Sequence, residues 1–214
     1  LNSYRQSLAV TGQNIANINT DGYVRREADL KEVTASQGGI TSIANQSGLG
    51  VRVADIRRSF DELLTSRKLS ANANYEQSDS FLKQVEKLED LLLPGESDLG
   101  TQIGSFFRAL NDLAATPSDL APRAVAIESG NSLAEAFNST AVQLEQLKKA
   151  TLDRTSEAVT SLNTITKELA SVNDKILSAS QSGRSPNSLL DLRDKLIGEI
   201  SKLADVTATY TDRG

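Results

Sequence analysis

The sequence has 214 residues, 38% hydrophobic and only 4% aromatic, with 28 acidic against 23 basic side chains for a net charge of −5. With the bases scattered rather than clustered, that balance excludes a general nucleic-acid binder, and no apolar run is long enough to span a bilayer. Cysteine, histidine, methionine and tryptophan are all absent, which removes disulfides, thiolate chemistry, zinc–thiolate sites and the commonest general base together.

Residues 1–18 read as an amphipathic helix, with Leu1, Leu8, Ile15 and Ile18, joined by Tyr4 and Ala9, on one stripe. Asn19, Thr20 and Asp21 oppose continuation because their short polar side chains compete for nearby backbone groups, and Gly22 supplies the positive φ of a helix stop. Residues 23–33 carry a weak period-two pattern, 34–49 are rich in Ser, Gln and Gly, and 50–56 return as a second short strand. A β-hairpin with a long tip is the expectation, and its uncovered edges would suit neighbouring subunits.

A helix should open at Ser59 as N-cap, with Asp61 and Glu62 favouring its first turn. Phe60, Leu64, Ala71, Phe81, Val85, Leu88 and Leu92 lie on one heptad-like stripe, interrupted by Arg67, Asn74 and Ser78, which reads as a bundle seam. Pro94-Gly95 breaks this helix and 96–100 connect to the next, 101–115, which presents Ile103, Phe106, Phe107, Leu110 and Leu113. After a turn at Thr116-Pro117-Ser118-Asp119 comes the longest helix, 121–180, spanning roughly 90 Å if continuous. Its first half turns Val125, Leu133, Phe137, Ala141, Leu144 and Leu147 inward, with Gly130 a weak point. Its second half keeps three–four spacing through Ala158, Leu162, Ile165, Leu169, Val172, Ile176 and Ala179.

Residues 181–187, with Gly183 and Pro186, end that helix, and the last one, 188–204, should pack back antiparallel on it. Leu189, Leu192, Leu196, Ile200 and Leu203 form its apolar side, leaving Asp191, Arg193, Asp194 and Lys195 on outer faces as solvated ion pairs. Val206 to Tyr210 is β-prone and reads as the first strand of a further domain, so the sequence looks like a segment cut at both ends. The fold class is therefore mainly α: an elongated antiparallel helical bundle or coiled-coil rod, with a small β-hairpin region near residues 23–56. Its divisions are 1–22, an axial helix and turn; 23–58, the hairpin region; 59–204, the helical rod; and 205–214, the start of an outer β-domain.

No constellation nominates catalysis. Glu86, Glu89 and Asp90 share a helix without metal-ligand partners, Gly48-Leu49-Gly50 lacks the lysine of a phosphate loop, and Ser and Thr have no His base. Lys175 or Lys195 would need burial to serve as a nucleophile. No catalytic, cofactor or metal site is expected, and no enzyme activity.

Asn14-Ile15-Ala16-Asn17-Ile18-Asn19-Thr20-Asp21-Gly22-Tyr23 resembles the N-terminal signature of the bacterial flagellar axial proteins, the family of rod, hook and hook-associated proteins. Ala16, Asn17, Asn19, Thr20, Gly22 and Tyr23 match its Ala-Asn-x-Asn-Thr-x-Gly-Tyr pattern, while Asp21 stands where many members have proline. Three further stretches are similar to the hook–filament junction branch of that family. They are Gly50-Val51 with Val53, Ile56, Arg58 and Asp61; Phe106-Phe107, Leu113-Ala114, Pro117, Arg123, Ala126 and Phe137; and Leu189, Asp191, Arg193, Asp194 and Leu196 in the last helix. Taken in order, these matches cover almost the whole sequence.

The resemblance implies a structural protein that polymerises at the hook tip and joins hook to filament, with Asn14–Tyr23 serving assembly. A hook or distal-rod protein of the same family, or a generic helical interaction module, is the alternative. Implied partners are other copies of itself, the hook protein, hook-associated protein 3, and the flagellar type III export apparatus with an export chaperone. Nucleic acid and membrane insertion are not implied. The implied location is extracellular, at the flagellum, reached without a cleavable signal peptide. The family's C-terminal helix, which pairs with the N-terminal one, is absent from these 214 residues. The N-terminal helix should therefore be poorly ordered in a free monomer, its stripe gaining partners only on assembly.

Overall fold

A computed structural model describes residues 1–33, 50–92, 99–182 and 185–210. The expected loop at 34–49, the Pro94-Gly95 break and Gly183 lie outside the described residues. The chain is mainly α-helical with a small two-stranded antiparallel sheet. In order the elements are α1 (Asn2–Ala16), β1 (Arg26–Glu32), β2 (Val51–Arg58), α2 (Glu62–Leu92), α3 (Leu99–Ala115), α4 (Leu120–Gln181) and α5 (Asn187–Ser201). They divide into two compact units, Leu1–Asn74 with Ser161–Gly214, and Tyr75–Thr160.

In the first unit, β1 and β2 pair from Arg26 opposite Arg58 to Glu32 opposite Val51, and a bulge between Asp29 and Leu30 leaves Ala54 unmatched on β2. The ladder continues past both ends, with Ser59 N donating to Arg25 O at 2.8 Å and Val33 N to Gly50 O at 3.0 Å. Because Ser59 is taken up by the ladder, it does not cap α2. Asp61 does: its Oδ1 accepts from Leu64 N at 2.9 Å, and its carbonyl accepts from Thr65 N and Thr65 Oγ1.

α1 is docked, not free. Ser3 and Val10 are buried, Ser7, Asn14 and Asn17 are half-buried, and Ser3 Oγ donates to Val51 O at 2.5 Å. Those positions recur every three or four residues, so the helix turns a mostly polar face to the hairpin. The apolar stripe of Leu1, Tyr4, Leu8, Ile15 and Ile18 points the other way, 68–95% exposed.

The core of this unit is the antiparallel seam of α4 and α5. Val172, Ile176 and Leu196 are buried at 1–3% exposure, flanked by Ile165, Leu169, Leu189, Leu190 and Leu192. The three–four spacing in the second half of α4 is thus the packed face. α5 ends at Ser201, three residues short of the expected 204, in a turn where Leu203 N and Ala204 N both donate to Ile200 O. Residues 205–210 form no strand, since no partner strand lies beside them among the described residues, and β-propensity without a ladder leaves only an extended coil.

In the second unit, α3 and the first part of α4 meet through small residues. Ala109 and Ala126 are buried, and a Cβ on Gly130 would lie 3.4 Å from Phe106 Cε2. Gly130 is therefore where the Phe106 ring seats itself rather than a weak point. The α3–α4 turn is closed by Arg123, whose Nη2 donates to Pro117 O at 2.7 Å. Two expected inner stripes face solvent instead. On α2, Phe81 is 71% exposed, and Leu64, Val85, Leu88 and Leu92 are exposed with it; on α4, Val125, Phe137 and Leu144 are exposed while Leu133 and Leu147 are half-buried. Periodicity identifies a face that can be covered, but the covering atoms must come from elsewhere.

Candidate assembly site

The signature stretch is a turn built around one amide. Asn14 Oδ1 accepts from Arg26 N at 2.9 Å and from Tyr23 Oη at 2.8 Å, while Asn14 Nδ2 donates to Arg26 O at 2.8 Å. A side-chain amide that both donates to and accepts from one residue's backbone copies the pairing of an antiparallel strand. Asn14 thereby fastens α1 to the first residue of β1. The chain between them is folded by Thr20 N donating to Asn17 O (2.9 Å) and Tyr23 N donating to Thr20 O (3.1 Å), with Thr20 Oγ1 on Asn17 Oδ1. Asn17 Nδ2 reaches back to Gln13 O at 2.9 Å, so the helix closes at Ala16 rather than Ile18.

Gly22 has two reasons to be glycine. Its φ is +82°, and a Cβ there would sit 3.0 Å from Lys195 Cβ on α5. The turn therefore closes against the last helix at the position where a side chain would intrude. Ile15, Ala16 and Asn19 of the same signature are exposed and make none of these contacts.

From the turn the contacts run into a line of buried charge. The Arg26 guanidinium lies 5.1 Å from the Tyr23 ring centroid and donates through Nη2 to Asp191 Oδ2 (3.0 Å) and Ser188 Oγ (3.2 Å). Asp191 Oδ1 is 2.7 Å from Arg58 Nε, an ionic contact whose N–H is not well directed at the oxygen. Arg58 Nη2 donates to Asp194 Oδ2, and Asp194 Oδ1 accepts from Arg193 Nε at 3.1 Å. Three guanidinium groups and two carboxylates thus alternate between the hairpin and α5. Beside them Asn187 Nδ2 donates to Ile56 O and Ser185 Oγ to Asp55 Oδ1, both at 2.6 Å.

These ions correct the sequence expectation. Asp191 and Arg193 are buried, and Asp194 keeps only 10% of its side chain exposed, so none of them is a solvated surface charge. Lys195 alone is on an outer face, loosely paired with Glu199 at 4.0 Å. The reason is tertiary, since the hairpin lies across that side of α5 and brings Arg26 and Arg58 with it. Sequence reasoning did not nominate Arg26 as a functional residue. Arg26 and Arg58 opposite each other in one ladder, with Asp191 and Asp194 spaced i and i+3 on one helix face, carry the signal.

Tyr210 closes the far end of the line. Its ring is 5.2 Å from that of Phe60 at 73°, edge to face, and the Arg193 guanidinium lies 4.7 Å from its centroid. Burial, and then the negative charge of Asp194, raise its phenol above the usual value. Among the described residues no group of three or more His, Cys, Asp or Glu is placed to hold a metal ion, and no helix is long and apolar enough to cross a membrane.

Residues 85–214 match the family described as flagellar hook-associated protein FlgK helical domain. The chain belongs to the FlgK helical-domain family. All of it aligns with flagellar hook-associated protein 1 of Escherichia coli K12 at 28% identity and with that of Salmonella typhimurium LT2 at 29%, and it spans 39% and 38% of their lengths. The Bacillus subtilis 168 protein is 28% identical, with 43% of its length spanned. The chain therefore covers about two fifths of these relatives. Among solved structures it is similar to the flagellar hook junction protein FlgK of Burkholderia pseudomallei, at 26% identity and a TM-score of 0.63 over 69% of this chain and 26% of that one.

Proposed function

We propose that this chain is the axial part of a hook–filament junction protein, a structural subunit without enzymatic activity that polymerises at the hook tip and joins hook to filament. The observation that carries this reading is the orientation of α1. Its polar face is fastened to the hairpin through Asn14, while Leu1, Tyr4, Leu8, Ile15 and Ile18 stand exposed on the other. A helix fastened by its polar face with its apolar side outward suits insertion into an assembly. Repeating one heterologous contact between copies generates a ring or helical layer. The hook–filament junction enters through the family and through the names of the FlgK relatives.

Further copies of the chain, the hook protein and hook-associated protein 3 are the partners this role requires. Delivery to the flagellum would use the flagellar type III export apparatus and a chaperone. The signature residues Asn14–Tyr23 would serve assembly by setting the angle between α1 and the hairpin, and Leu189–Leu196 by holding that hairpin to α5.

Deleting the gene in its host and imaging the flagella tests the reading. Complete hooks without filaments, with unassembled flagellin in the medium, are expected. Missing hooks would move the protein to the hook or rod, and intact flagella would leave it a helical interaction module.

A further inference from the structure

Residues 205–210 alternate between exposed (Asp205, Thr207, Thr209) and half-buried (Val206, Ala208, Tyr210) positions, yet no backbone hydrogen bond among the described residues holds them. Residues 206–210 line one side of a half-open cavity of about 290 Å³, together with Leu169, Asn173, Arg193, Ile197 and Ile200. At one end the segment is fixed by the turn closing α5, where Leu203 N and Ala204 N donate to Ile200 O at 2.9 Å. At the other end the anchor is the Tyr210 ring, set between the edge-to-face contact with Phe60 and the Arg193 guanidinium. The Tyr210 hydroxyl is buried and finds no hydrogen-bond partner among the described residues, so the ring rather than the polar tip makes the attachment.

We propose that residues 205–210 are a strap latched to the first unit by Tyr210, and that this latch alone decides whether the strap is held on the face formed by α4 and α5. The latch couples the strap to both sides of the charged line, because Phe60 also carries the Arg58 guanidinium at 5.3 Å and Arg193 is held by Asp194. With no ladder to share the restraint, loss of one aromatic contact frees the strap as a whole. The segment after α5 is therefore a two-state device, held when Tyr210 is seated and loose when it is not. This inference does not depend on the flagellar role.

The absence of cysteine allows a single nitroxide label to be placed on Thr207→Cys in the full chain. A restricted line shape is expected with Tyr210 in place, and Tyr210→Phe should leave it unchanged within about twofold in mobile fraction. Tyr210→Ala should raise the mobile fraction about tenfold, the scale of one aromatic and one cation–π contact. Phe60→Leu, which keeps apolar bulk at the start of α2, should raise it severalfold and serves if the alanine variant does not fold. A freely mobile label with Tyr210 intact, no response to either Tyr210→Ala or Phe60→Leu, or Tyr210→Phe as loose as Tyr210→Ala would each overturn the proposal.

Discussion

Arg26 and Arg58 stand directly opposite each other across the hairpin, and the carboxylate of Asp191 on α5 lies within 3.0 Å of both guanidinium groups. Two like charges facing each other in a ladder repel. This pair is tolerable only because a helix distant in sequence supplies the anion between them. The register of the hairpin and the docking of α5 are thus one problem with one solution.

Asp191→Asn keeps the shape and removes the charge, leaving the half-buried Arg26 without its carboxylate opposite Arg58, which keeps only Asp194. The expected loss is about 3–5 kcal/mol, the cost of breaking a buried pair from one side. Urea unfolding followed by circular dichroism reads it, and a loss below about 1 kcal/mol would show that the ions do not hold the hairpin to α5.

Asn14→Asp retains both acceptor contacts but replaces the donor to Arg26 O with a second oxygen. A carboxylate oxygen against a carbonyl cannot pair, so this near-isosteric change should cost about 2 kcal/mol and loosen α1 from the hairpin. Amide hydrogen exchange over residues 3–16 is the check. Protection of these amides that survives the substitution would mean α1 is held elsewhere.

Gly22→Ala and Gly12→Ala should move in opposite directions. The first forces a side chain into the left-handed region and against Lys195 Cβ at 3.0 Å, costing about 1–3 kcal/mol. The second adds a methyl group in open space on α1, where nothing lies within 4 Å, and should add up to about 1 kcal/mol of stability. Paired thermal melts separate the two effects.

Leu8→Asp and Ile15→Asp alter exposed positions, so the fold should change by no more than about 0.5 kcal/mol. Polymerisation should nevertheless fail, because each places a charge in the stripe proposed to enter the assembly. Sedimentation of monomer against assembled material, with melting curves as control, distinguishes lost assembly from lost folding.

Raising pH should weaken the Tyr210 anchor. Its phenol titrates above the unfolded value of about 10 because burial and the nearby Asp194 carboxylate favour the neutral form. The contribution is complete below the unfolded value and disappears as pH climbs through the higher folded one, since the native state then binds more protons than the unfolded state. Stability should fall with pH above about 10, and Tyr210→Phe should flatten that decline.

Local physics made much of this chain legible. A helix stop just before Asn19–Gly22 was legible because short polar side chains and glycine disfavour a helix interior, although the helix already closes at Ala16, and the three–four spacing from Ile165 to Ala179 marked the face that packs on α5. Two helices joined by a short turn could bury those leucines and isoleucines only by folding back on each other. The fold class and the family signature were therefore determined by the sequence alone, through contacts that are near-neighbour or strictly periodic.

Tertiary structure decided the rest. Asp191, Arg193 and Asp194 carry the pattern of a solvated helix face, and only the hairpin laid across them makes them a buried ionic line. Phe81, Val85, Leu88 and Leu92 carry the pattern of a seam, yet in this chain they face water. Val206 to Tyr210 has the composition of a strand but, among the described residues, no neighbouring strand to pair with. In each case the residue types state what an environment would cost, while which environment a residue meets depends on what the rest of the fold places beside it.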